Sequence, residues 1–445
     1  MTRSGADGTL TPLSVTEATP YAVTLRVPAT VATGTHALWI HNGLGGPAAW
    51  RQAGMLPVVA PVAWKTERFN VRDFGPRPEE AILAAIAKAK ENGGGGVYLP
   101  RGRYGLAKPL DIPDGVVLAG EAMELVSLFW PDFETPPLHL VRGNTFGLEN
   151  LSLYCQNHRT VVLIEPKSDG AFVRNVRIRA NCHFMIDIPG EPFRGRLGPK
   201  SNRDLGAGIA VHGRNFEIRE RRMFGADREM MTLDAKGVGQ YRIVTAHQGR
   251  DWEVDRAWTV LPDATSRISV VPYRGRNLFI GNDCEDGGPF QLYGSAHECI
   301  VAENRGRRMD AFLVWGLDPH DWGQQPSWYC QFLDNTVVEG NGYGHRTGGF
   351  GTAALGQPGD GKGRSVRDVV FRRNACLNNA GFSITGNLHG ALVEHNTITH
   401  ADIGIVVRAP ASGVILRANA LTDVATPLWG DGISTATVVQ TPLGK

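Results

Sequence analysis

CQFLDNTVVEGNGYG, residues 330–344, is one of six segments in the C-terminal half of the chain that read alike. The others are LFIGNDCEDGGPFQLYG (278–294), CIVAENRGRRMDAFLVWG (299–316), VVFRRNACLNNAGFSITG (369–386), ALVEHNTITHADIGIVV (391–407) and VILRANALTDVATPLWG (414–430). Each carries one asparagine in the same place: Asn282, Asn304, Asn335, Asn374, Asn396 and Asn419, at intervals of 22, 31, 39, 22 and 23 residues. Asn150 and Asn175, 25 residues apart, hold a similar place upstream. Short apolar strands repeating at such a period are the signature of a solenoid. Asparagine tolerates a left-handed turn, and its amide can bond to equivalents above and below in a stacked ladder. The expected fold is therefore all-β, a parallel β-helix.

The bulk composition agrees. Fifty-five glycines and 27 prolines among 445 residues predict many turns and few long helices. Forty-six basic against 44 acidic residues leave the chain near neutral, which argues against nucleic acid or an anionic membrane as partner. No apolar run is long enough to span a bilayer. The first residues, MTRSGADGTLTPLS, lack the apolar core of a signal peptide. The six cysteines form no CxxC pair and read as small buried hydrophobes, so no metal is expected. Cys299 and Cys330 each stand five places before a ladder asparagine. Adjacent rungs would put them within disulfide reach; a stack of buried thiols is the expected outcome.

Residues 1–62 alternate apolar and polar positions in YAVTLRVPATVATGTHALWIHNG, with a break at Gly34. This stretch resembles the last strands of an immunoglobulin-like module and is short for a complete sandwich. The β-helix is expected over 63–445. Pro78–Asn92 is the clearest helix, with proline and two glutamates in its first turn, lysines in its last and glycine after it. The order NVRDFG, an Ala/Ile-rich helix, then GGGGVYLPRGRYG resembles the opening of pectate-lyase-like right-handed parallel β-helix proteins. That resemblance implies a helix capping the N-terminal end of the solenoid. It does not choose a reaction, because lyases, hydrolases and epimerases share the opening. Residues 188–272 break the period and read as a β-hairpin-rich insertion that packs beside the groove.

Counting from the asparagines places the candidate chemistry. Four places on stand Asp286, Arg308 and Glu339; six on, Gly288, Asp310 and Asn341; eight on, Phe290, Phe312 and Tyr343. Strands one rung apart are separated by about 4.8 Å. Asp286 and Asp310 are then about one rung apart, and Asp286 and Glu339 about two, near 9–10 Å. Those values bracket the carboxylate separations of glycosidases, about 5–5.5 Å and about 6.5–9.5 Å. The two longest intervals follow directly. One adds Asp318, His320, Asp321 and Trp322 after Trp315; the other adds Tyr343, His345 and Arg346. Long loops in a compact solenoid are usually functional or disordered, and tryptophans beside acids suit sugar rings and their hydroxyls.

Three functions are compatible with this strip. The favoured one is glycoside hydrolysis of a polysaccharide or oligosaccharide. Asp286 and Asp310 then serve as acid and as base or nucleophile, Glu339 is the substitute partner, and no cofactor is needed. The second is a uronic-acid lyase, using His320, Tyr343, His345 or Arg346, with calcium or arginine against the substrate carboxylate. The third is a non-catalytic carbohydrate-binding protein that keeps the tryptophans. A polysaccharide substrate places the protein outside the cell or in the periplasm, its leader removed or truncated. The sugar, the linkage and the oligomeric state stay open at this level.

Overall fold

The computed structural model describes the chain except residues 1, 4–9, 19–22, 42–49, 59–63, 132, 134–136, 138, 157–159, 166–167, 182–208, 213–227, 235, 249–250, 255–256, 264–265, 273, 287–288, 310, 318–324, 341–347, 356–364 and 440–445. Two compact units emerge, Met1–Ala63 and Trp64–Lys445. In the first, Leu10–Thr11, Thr2–Arg3, Gly34–Ile40 and Arg51–Val58 form an antiparallel sheet in that order. Ser14–Ala18 and Val23–Arg26 pair separately as a hairpin. Gly34, where the sequence pattern breaks, starts the central strand at a φ of 139°, which a β-carbon would disfavour.

The second unit opens with the strand Arg68–Asn70 and a 3-10 turn over Val71–Phe74, followed by helix α1, Pro78–Glu91. Proline sits at its start, Glu79 and Glu80 in the first turn, and Lys88 and Lys90 in the last, each where the helix dipole favours it. Its stripe of Ala81, Ile82, Ala85, Ile86 and Ala89 enters the main core and packs on Arg68–Asn70 and Gly95–Leu99, the first two rungs. The end of the sheet stack is thus covered by an amphipathic helix, as the sequence resemblance implies.

Beyond α1 the chain coils through faces of parallel strands. Face one includes Leu278–Ile280, Ile300–Ala302 and Gln331–Leu333; face two includes Asp283–Glu285, Arg305–Arg307 and Thr336–Val338. Face three includes Phe290–Tyr293, Ala311–Leu317 and Gly348–Leu355. A short fourth face holds Ala296–His297 and Ser327–Trp328. Every pairing between these strands is parallel and joins one turn of the coil to the next, and parallel crossovers wind right-handed. Inside, Phe290, Phe312, Phe350 and Phe382 occupy one register column of face three, with ring centroids 5.4, 5.6 and 5.2 Å apart. The partner of Phe312 on the next rung is therefore Phe350, not Tyr343. A constant offset cannot be counted through an interval that the chain lengthens.

The asparagine column is a buried ladder. From Asn282 to Asn419 each amide Nδ2 donates to the next asparagine's Oδ1, at 2.8–3.0 Å. The second Nδ2 hydrogen goes to a backbone carbonyl, such as Val301 O at 2.9 Å from Asn335. Two details differ from the sequence reading. The left-handed residue of each bend is not the asparagine but its predecessor: Gly281, Glu303, Asp334, Arg373, His395 and Ala418. The asparagine is selected for its amide, not for its backbone. Asn150 and Asn175 are also offset by one. They are themselves left-handed, with φ 57° and 51°, and Val176 takes the ladder position, its N–H donating to Asn282 Oδ1. The two bond to each other at 3.2 Å outside the core.

Within 188–272, Ile209–His212 is a solenoid strand of face three, pairing with Thr160–Ile164 and Phe290–Tyr293. The remainder carries a four-stranded antiparallel sheet of Asp251–Val254, Tyr241–Gln248, Arg228–Asp234 and Arg267–Pro272. It docks on the fourth face. Tyr241 Oη donates to Glu298 Oε1 at 2.5 Å, its ring lies 5.8 Å from His297, and it covers the fully buried Trp328. Cys299 and Cys330 are buried free thiols, and burial and the neighbouring Cys299 raise the Cys330 pKa.

Candidate functional site

Asp286, Arg308 and Glu339 line one edge of the coil, where face two bends towards face three. Each directly follows a strand of face two and takes the left-handed conformation, φ 53°, 46° and 58°. Each backbone N–H donates to the next rung, Asp286 to Arg307 O and Arg308 to Val338 O, both at 3.0 Å. The register counted from the sequence is therefore a column of bends. Its side chains splay outwards, half exposed, because a left-handed residue turns its Cβ away from the strand interior.

Arg308 is the hub. Its Nε and Nη2 donate to Asp286 Oδ1 and Oδ2 at 2.5 and 2.8 Å, and Nη2 also donates to Glu285 Oε1 at 2.8 Å. Its Nη1 stands 3.9 Å from Glu339 Oε2. Arg307 adds a 3.5 Å contact to Glu285. The hydrogen bond that Arg308 donates to Asp286 raises the arginine's pKa well above its ordinary value, so this guanidinium is a fixed cation and not a base. Both oxygens of Asp286 are taken up by one bidentate fork, so neither is free to carry a proton to a substrate. Among the described residues Glu339 has only the long contact to Arg308. The sequence puts Arg308 in the strip, but it does not show that the arginine clamps the acids on either side. The adjacent Arg307–Arg308 pair at the acids' own offset is the signal that points there.

The other candidates divide. Asp310, Asp318, His320, Asp321, Trp322, Tyr343, His345 and Arg346 lie outside the described residues. Trp315 is described and buried at 7 % exposure, in a small cluster with Tyr293, Ala311, Leu313 and Ala353 on the outer side of face three. Its ring centroid is 5.7 Å from that of Tyr293, and its carbonyl accepts from Ser327 Oγ at 2.7 Å. It serves packing on that side rather than offering a bare ring to solvent. Beside it, in register with Leu313, stands Gln291, nine-tenths buried. This amide was not singled out from sequence, because a lone glutamine in an apolar strand has no spacing that marks it. Among the described residues no group of three or more His, Cys, Asp or Glu could hold a metal ion.

A second titratable cluster occupies the bend after the fourth face. Asp368 contacts Arg367 at 3.1 Å, and burial raises its carboxyl pKa against the opposing pull of Arg367 and His389. Tyr329, whose phenol burial pushes up to about 12, donates to Gly239 O of the insertion. These residues hold the insertion to the solenoid.

No protein-family model matches the sequence, and no curated protein does. Solved structures with a similar course include the following three. One is the catalytic unit of the thermostable GH87 alpha-1,3-glucanase from Streptomyces thermodiastaticus strain HF3-3, at 10 % identity and TM-score 0.37, covering 89 % of this chain and 75 % of that one. Another is the A-module of the Azotobacter vinelandii mannuronan C-5 epimerase AlgE4, at 15 % and 0.38, covering 84 % and 100 %. The third is pre-mature bacteriophage phi29 gene product 12, at 12 % and 0.37, covering 84 % and 56 %. The chain is a parallel β-helix. Its register establishes that; likenesses this distant decide nothing about its reaction.

Proposed function

We propose that the protein is a carbohydrate-active enzyme that hydrolyses glycosidic bonds of a neutral polysaccharide or oligosaccharide. The supporting observation is the charge balance at the bend: carboxylates Glu285, Asp286 and Glu339 against guanidiniums Arg307 and Arg308. Among these five side chains one net negative charge remains. It favours the positive charge that develops at the anomeric carbon in an oxocarbenium-like transition state. It disfavours a uronate, whose carboxylate would approach like charge. That balance supports hydrolysis over β-elimination.

In this reading Glu339 is one member of the acid–base pair, and Asp310, one rung earlier by sequence position, is the other. Asp286 fixes Arg308, and Arg308 sets the orientation of Glu339. No cofactor is invoked; calcium belongs to the lyase alternative. The N-terminal unit is assigned a helper role and the protein a place outside the cell, where polymeric sugars occur. The test incubates the protein with neutral and acidic polysaccharides. It follows both reducing ends and the ultraviolet absorbance of the unsaturated uronate that elimination leaves. Reducing ends without absorbance are expected, with E339Q and D310N each lowering the rate by about 10²–10⁴. Absorbance rising in step with reducing ends, or full activity in both variants, would sink the proposal.

A further inference from the structure

Face one carries an open cleft of about 420 Å³ near the helix-capped end. Its floor is Gly96, Val117 and Ala119. Register explains why the floor is bare. Arg68, Gly96 and Val117 align on successive rungs, as do Asn70, Tyr98, Ala119 and Glu149. Small residues at these outward positions leave the sheet uncovered for two to three strand spacings, roughly 10–15 Å. A β-carbon on Gly96 would meet only Glu67 O, at 3.8 Å. The glycine is thus not forced by close backbone approach, and what it provides is room.

The walls differ in character. On one side the Arg68 guanidinium lies 3.3 Å over the Tyr98 ring. Stacking uses the face of the guanidinium and leaves its N–H edge pointing outwards. Arg68 makes no ion pair among the described residues. On the other side stand Glu121 and Glu149. One oxygen of Glu121 accepts from Arg101 N at 2.8 Å, and Glu149 pairs with Arg174. Donors face acceptors across a small apolar floor. A neutral sugar is complementary to this, with an apolar ring face for the floor and hydroxyls that both donate and accept. The lining charges balance, Lys65 and Arg68 against Glu121 and Glu149, so the cleft presents no net charge to attract an anionic chain.

We propose that this cleft is a second carbohydrate-binding site, taking two or three neutral sugar units. It lies on face one, whereas the acids lie at the bend between faces two and three. A polymer held at both places would reach the acids at a raised effective concentration. The ligand class rests on the hydrolase reading; the site rests on the cleft.

The test is retardation of the full native chain in gels containing dextran, hydroxyethylcellulose or a soluble mannan, with alginate as the acidic control. The wild-type chain and E339Q are expected to be slowed equally by a neutral polymer and not by alginate. A119W, which fills the floor, should bind about ten-fold more weakly, and R68A several-fold more weakly without adding bulk. Thermal melts of both variants confirm folding. Wild-type retardation in both A119W and R68A, or no retardation of the wild-type chain by any neutral polymer, overturns the site. Retardation without hydrolysis removes the hydrolase and keeps the cleft; hydrolysis without retardation does the reverse.

Discussion

Replacing Asn335 by alanine measures what one rung of the amide ladder contributes. The side chain takes part in four hydrogen bonds. Its Nδ2 donates to Val301 O and Asn374 Oδ1, both at 2.9 Å. Its Oδ1 accepts from Asn304 N at 3.0 Å and Asn304 Nδ2 at 2.9 Å. In N335A the oxygen of Asn374 keeps the Asn335 backbone N–H, at 3.0 Å. The Val301 carbonyl, the Asn304 N–H and one Asn304 amide hydrogen lose their partners at a fully buried site. At roughly 1–3 kcal/mol for each stranded group, and with some relaxation, the loss should be roughly 3–6 kcal/mol. N282A, at the start of the ladder, strands only Val176 N–H and Val173 O, so about two-thirds of that is expected. N175A removes an exposed contact and a left-handed asparagine and should stay near 1 kcal/mol. Urea unfolding followed by circular dichroism gives the three values. Amide exchange of Asn304 should accelerate in N335A while rungs far away keep their protection, because a solenoid is coupled mainly between neighbours. A loss of about 1 kcal/mol or less in N335A, or one equal to that of N175A, would refute the reasoning.

Glu394 gives a prediction on pH. Burial pushes its carboxyl up, but hydrogen bonds from Arg417 and Arg372 and their charges outweigh burial, and the pKa ends below the ordinary value. A lowered folded-state pKa stabilises the fold above the unfolded value of about 4.3 and loses that contribution as pH falls through the folded value. E394Q should therefore be less stable near neutrality, by about 2–4 kcal/mol, and show a flatter acid limb in pH-dependent melts. R308M should lower stability near neutrality by about 1 kcal/mol, a small value because the pairs are half exposed. The deficit should shrink in about 1 M salt, which screens half-exposed pairs, and an unchanged deficit there would count against the clamp. Cys284, whose thiol burial pushes up to about 12, and buried Cys299, Cys330 and Cys376 should escape alkylation in the native chain and react on unfolding, as mapped by mass spectrometry.

The insertion shows a division of labour that bears on engineering the chain. Its antiparallel sheet is tied to the solenoid through Tyr241 on Glu298 and Tyr329 on Gly239, away from the acidic bend. Changes at those tyrosines should loosen the insertion without touching Arg308 or Glu339.

What the sequence determines by itself is whatever is local or repeated. Helix α1 is legible because its proline, charges and alanine–isoleucine stripe act within a few residues of one another. The six ladder asparagines are legible because stacking makes equivalent positions chemically alike, so one column repeats one choice. Tertiary structure decides what counting cannot. Asn150 and Asn175 look in phase, yet sit one place early, because the left-handed position also accepts asparagine. Phe350 displaces Tyr343 because a loop of variable length restarts the register. Asp286, Arg308 and Glu339 are a strip in both descriptions. Only the folded geometry shows Arg308 occupying both oxygens of Asp286 while leaving Glu339 at 3.9 Å. Side-chain reach across rungs is a property of the packed coil, and no periodicity in the chain encodes it.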